Sequence, residues 1–106
     1  MIKMVQTLVR EDEYGHEEFV DWWRGDHAEL ARELPGLQRY STSVPTNPDA
    51  AEYDGVLELS FESAAALDEA FESEVGREVR ADASDYVDFG AGSRMIVEET
   101  VHVDEG

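Results

Sequence analysis

The stretch Phe19–Leu37 reads FVDWWRGDHAELARELPGL, and its spacing decides how the rest of the chain is read. Phe19, Trp23, His27, Leu30 and Leu34 recur three and four residues apart, which makes one stripe along a helix. Trp23 and His27 lie four apart and point the same way, one turn above the other. Trp22 sits beside the stripe and widens it into a heavy aromatic face. Glu17 and Glu18 fall in the first turn, where the positive helix end favours acids. Pro35 and Gly36 stop the helix, and extended chain resumes at Leu37. The pattern predicts a single helix over His16 to Leu34, with a titratable ring on an apolar face.

On either side of this helix the period changes from helical to two. Ile2 to Val9 reads as a first strand, with Ile2, Met4, Gln6 and Leu8 on one face and Lys3, Val5, Thr7 and Val9 on the other. Leu37 to Val44, containing Tyr40, reads as a second strand, followed by a turn around Asn47-Pro48-Asp49. Gly55 to Phe61 is a third strand, with Leu57, Leu59 and Phe61 opposite Val56, Glu58 and Ser60. Ser63 suits an N-cap for a second helix with the stripe Leu67, Ala70 and Phe71, broken or bent near Gly76 before a short continuation around Val79 and Ala83. Ala81 to Gly92 reads as an acidic loop anchored by Tyr86, Val87 and Phe89. Arg94 to Val103 is a last strand, and Asp104 to Gly106 a loose end.

The order strand, helix, strand, strand, helix, strand predicts an α+β, ferredoxin-like βαββαβ fold over residues 1–106 as one domain. In it, four antiparallel strands carry both helices on one face. Apolar residues on both faces of several strands predict a homodimer closing across the open sheet faces. Ligand pockets are then expected between sheet and helices.

Composition narrows the partners. The chain has 26 Asp and Glu against 8 Lys and Arg, a formal charge of -18 that repels nucleic acid and anionic membranes. The acids are dispersed through periodic segments rather than gathered in a tail. With Lys3 the only lysine, they look like the surface of a halophilic protein that weakens when salt is removed. There is no cysteine for a thiolate site or thiol nucleophile, and no apolar run long enough for a membrane span or signal peptide. A cytoplasmic protein without a cofactor is expected. His16, His27 and His102 fall in separate segments without metal-ligand spacing, and no glycine-rich strand-to-helix loop suits a nucleotide.

FVDWWRGDHAEL, LPGLQRY and YDGVLELSF together resemble the EthD-like family of dimeric α/β-barrel proteins, and the likeness runs from Ile2 to Val101. The resemblance implies sheet-to-sheet dimers and a cleft beside the first helix, faced by His27. Similar proteins include muconolactone-type isomerases, aromatic polyketide cyclases and cofactor-free monooxygenases, so the fold alone does not name a reaction. Some isomerases of that wider group are expected to use a further histidine near the start of the third strand. Here that region is Glu52, Tyr53, Asp54 and Gly55.

The candidate catalytic residues are His27, Tyr40 and Glu58. His27 is placed to shuttle a proton at an acidic carbon or phenol, and its structural alternative is a packed ring bonded to backbone or to a neighbouring carboxylate such as Asp26 or Glu58. Tyr40 is a donor for a developing oxyanion, or a rim tyrosine. Glu58 orients His27 or acts as a base, or is simply solvated. Trp23 and Phe19 line a substrate pocket, or belong to the core. The predicted function is binding of a small hydrophobic or aromatic metabolite, with proton-transfer chemistry of oxidoreductase, isomerase or cyclase type. The alternative is a non-catalytic accessory protein serving a partner oxidoreductase.

Overall fold

Strand pairing organises the chain, as a computed structural model describing residues 1–105 shows. The strands are β1 (Ile2–Leu8), β2 (Arg39–Ser43), β3 (Gly55–Phe61) and β4 (Arg94–Glu98). They form one antiparallel sheet in the order β2-β3-β1-β4, the ferredoxin-like arrangement. The register puts Met4 opposite Leu59 and Ile96, and Tyr40 opposite Leu59, so these residues share the face beneath the helices. Gly106 of the expected loose end lies outside the described residues.

Each expected helix is split in two. The first becomes α1 (His16–Arg24) and α2 (Asp26–Ala31), because Gly25 leaves helical geometry at φ -98° and ψ -109°. The second becomes α3 (Ala64–Glu72) and α4 (Glu74–Ser84). That break falls at Ser73, not Gly76: Ser73 is extended, and its hydroxyl accepts from the Gly76 amide to cap α4. Gly76 is needed there for a different reason, since a Cβ would sit 2.3 Å from the Ala70 carbonyl oxygen. Ser63 caps α3 as expected, accepting from Ala66 at 3.1 Å.

Two further boundaries move. Ala81 to Ser84 belong to α4 rather than to a loop, as their alanines favour. The last strand stops at Glu98, opposite Ile2 at the start of β1, with one more bond from the Glu99 amide to the Met1 carbonyl. Val101 and Val103 are consequently exposed.

The core has two parts. Met4, Leu59 and Phe61 of the sheet meet Ala31, Leu34, Leu67, Ala70, Phe71 and Val79. Leu8, Phe19, Trp23 and Val87 close the other end. The far face of the sheet is mixed rather than apolar. Lys3 lies there with Glu58 at 3.4 Å and in contact with Glu99, while Ser41 donates to Glu58 at 3.3 Å. The carboxylates hold the Lys3 ammonium above its usual range, the bond from Glu99 first and against the effect of burial. No helix among the described residues is long and apolar enough to cross a membrane.

Candidate active site

The split helices cover one face of the sheet, with space between the two layers. A cavity of about 310 Å³ lies there. Its floor is β1 and β3, through Met4, Gln6, Leu8, Leu57 and Leu59, and its walls include Trp22, Trp23, Ala31, Leu34, Phe71 and Val79. Tyr40 enters from β2, and Arg80, Arg94 and Phe89 complete the lining. The surface is mainly apolar with a few polar atoms, the usual make-up of a small-molecule site.

His27 lines this cavity and is 6% exposed. Its Nδ1 lies 2.7 Å from Asp82 Oδ2 on α4, across the helical layer. A carboxylate does bond the ring, but it is neither Asp26 nor Glu58, the examples the sequence offered. Asp82 is available because α4 continues through the segment expected to be a loop. A carboxylate on Nδ1 favours the tautomer with the proton there, which leaves Nε2 as the basic nitrogen. Nε2 has no hydrogen-bond partner among the described residues.

The helix break also decides which tryptophan meets the histidine. In an unbroken helix Trp23 would stand over His27, but Gly25 resets the phase and brings Trp22 there, ring centroids 4.5 Å apart. Trp22 stacks on Tyr86 at 4.0 Å and 8°, and Tyr86 stacks in turn on Tyr14 at 4.5 Å. Three aromatic rings thus lead from Tyr14 inward to His27. Trp23 is 1% exposed and serves both core and cavity wall. Phe19 is fully buried against Trp22 and Trp23 and does not line the cavity.

Among the described residues two buried side-chain polar atoms lack a partner: Trp22 Nε1 and Tyr40 Oη. Leaving such a donor unsatisfied costs about 1–3 kcal/mol, and both belong to residues that line the cavity. Burial pushes the Tyr40 phenol up to about 12, which keeps it protonated and therefore a donor. Glu58 is elsewhere. Its register partner Val5 is out of phase with cavity-lining Met4 and Gln6, so Glu58 projects from the opposite sheet face to Lys3 and Ser41.

A second charged cluster is separate from the cavity. Asp54, 6% exposed, accepts from the Arg10 amide and guanidinium, each at 2.9 Å, and lies 2.8 Å from His16 Nδ1. Burial alone would raise its carboxyl, but the Arg10 amide, His16 and the Arg10 charge outweigh that and hold it low. The cluster ties the end of β1, the start of α1 and the start of β3 together. Among the described residues no group of three or more His, Cys, Asp or Glu is placed to hold a metal ion.

Sequence reasoning reached His27, Tyr40 and Trp23, which the structure brings to one cavity. It missed Trp22, Asp82, Arg80 and Arg94. Gln6, polar within the row Ile2, Met4, Leu8, was a legible sign, and Arg94 is its register partner on β4.

Comparison with known proteins agrees with the geometry. Residues 11–90 match the EthD domain. An ethyl tert-butyl ether D (EthD) family protein from Bacillus halodurans C-125 superposes with a TM-score of 0.77 at 22% identity, covering 94% of this chain and 100% of that one. A mutant of SnoaB, a cofactor-independent oxygenase from Streptomyces nogalater, gives 0.70 at 12%, covering 98% and 97%. A dimeric protein of unknown function with a ferredoxin-like fold, from Bacteroides fragilis NCTC 9343, gives 0.66 at 12%, covering 91% of each chain. No curated protein matches the sequence. At these identities the superpositions speak for the fold, whereas the domain match covers most of the sequence: the chain belongs to the EthD domain family.

Proposed function

We propose that this protein binds a small, largely apolar aromatic metabolite in the cavity and moves a proton on it, with His27 as the base and no cofactor. The observation that supports this is the His27–Asp82 pair, whose uncommitted Nε2 belongs to a ring lining an apolar cavity. Nε2 takes a proton from an acidic carbon or phenol of the ligand, and Asp82 balances the imidazolium that results. Tyr40 Oη and Trp22 Nε1 donate to the oxygen on which negative charge develops. The carbanion or phenolate so formed is the common entry to isomerisation, cyclisation and reaction with oxygen. The fold shared with a cofactor-independent oxygenase favours the last of these. Glu58 has no part in this scheme.

The assembly belongs to the same proposal. Val5, Val56, Met95 and Val97 lie on the open sheet face, Met95 62% exposed, and a second copy would cover them. A neighbour of the same fold is described as dimeric.

Native mass spectrometry at high ionic strength, on protein purified from its own host, reports subunit number and any retained small molecule together. With that ligand in hand, H27A is expected to abolish turnover while retaining affinity. D82N is expected to lower turnover about 100-fold through loss of the base's partner. Unchanged turnover in H27A would overturn the proton-transfer role and leave an accessory binding protein for a partner oxidoreductase.

A further inference from the structure

The charges around the cavity are arranged against the trend of the molecule. The chain carries 26 Asp and Glu, yet among the described residues none of them lines the cavity. Two arginines do. Arg80 and Arg94 are exposed residues, which places their guanidiniums at the mouth rather than in the depths. Neither has a carboxylate partner among the described residues. Arg80 lies over the Phe71 ring at 5.1 Å, and the Nε of Arg94 donates to Met4 Sδ at 3.1 Å. Both contacts hold a guanidinium without neutralising it. Arg24, Arg32, Arg39 and Arg77 also lack an ion pair among the described residues, so what sets Arg80 and Arg94 apart is their shared place on a cavity lined by no acid.

Beside Gln6 and the Nε2 of His27, two further polar groups belong to residues of the lining. Trp22 Nε1 can only donate, and a protonated Tyr40 hydroxyl with no acceptor is a donor too. The five N–H groups of each guanidinium are donors only. The cavity lining therefore carries two full positive charges and no acid, with two unpartnered donors on residues of its wall.

We infer that the ligand is an anion, an aromatic body bearing a carboxylate, with the acidic group held at the mouth by Arg80 and Arg94. Its ring portion lies inward against the apolar wall, and ring oxygens meet Trp22 Nε1 and Tyr40 Oη. The guanidiniums thus do two things. They offset the repulsion that a charge of -18 exerts on an approaching anion, and they orient the ligand so that its body, not its acid, faces His27. This inference rests on the binding role proposed above for the cavity.

Isothermal titration of the full chain with 2-naphthoate and with its neutral counterpart 2-naphthamide tests both readings separately. The wild-type protein is expected to bind the naphthoate at least tenfold more tightly. In R80Q/R94Q the two affinities should come within twofold, through loss of naphthoate binding with naphthamide unchanged. R77Q removes one positive charge from the exposed side of α4, where R80Q/R94Q removes two, and should keep the preference. Equal binding of the two compounds by wild type, or a preference untouched in R80Q/R94Q, would overturn the anion inference and leave the cavity's binding role standing. Binding of neither compound would overturn both. Loss of preference in R77Q to the same extent would assign it to overall charge and overturn the mouth contact.

Discussion

Tyr40 is a residue whose environment makes opposite demands on stability and on function. Its buried hydroxyl has no partner, so Y40F should leave stability within about 1 kcal/mol of wild type or raise it. The same change removes a donor from the proposed oxyanion site, and turnover should fall about 100-fold. Its titration carries a sign of its own. The folded-state value, about 12, lies above the ordinary 10, so between those values the unfolded phenol loses its proton first. Stability should therefore drop as pH rises from 10 to 12, and Y40F should remove that part of the loss in alkaline melts. Asp54 works in the other direction. Its folded carboxyl is held below 3.8, so its contribution is complete above that value and is lost as pH falls beneath it. D54N should cost about 2 kcal/mol at neutral pH and flatten the acid limb of the stability profile, as read by urea melts across pH 2–6.

At the scale of elements, the decisive feature is a break one residue long. Gly25 interrupts α1–α2, and a Cβ there would lie 2.6 Å from the Asp21 carbonyl oxygen. G25A should therefore destabilise by about 1–3 kcal/mol. It should also turn His27 away from Asp82, visible as a changed imidazole resonance in NMR spectra. The break also explains how far the sequence could be read. Strand faces were legible because period two survives any small change of boundary, and Tyr40, Leu57 and Leu59 fall where alternation puts them. The stripe through Phe19, Trp23 and His27 was legible as buried, since all three are buried on either side of Gly25. Its continuity was not, because a glycine inside a helical pattern is tolerated as often as it ends one. Partners distant in sequence were the least accessible: Asp82 lies 55 positions from His27, and no local spacing connects them.

For the whole molecule, charge is the governing quantity. A net charge of -18 opposes compaction, and salt relieves it as the screening length shrinks from about 10 Å at 0.1 M to about 3 Å at 1 M. The melting temperature should climb by about 5 °C or more over that range, equivalent to about 1 kcal/mol. A flat response in calorimetry would remove the argument for a salt-adapted surface. The same scans fitted at several protein concentrations check the proposed dimer, since an associating chain melts higher when concentrated. The placement of Trp22 and Trp23 has a practical consequence for all of these measurements. The chain has two tryptophans, and both line the cavity. All indole emission from the native protein therefore originates at the site itself. One ring abuts His27, so a change in imidazole charge alters the environment of an emitter. Occupancy and protonation of the cavity are thus open to unlabelled fluorescence, with the protein as its own dye.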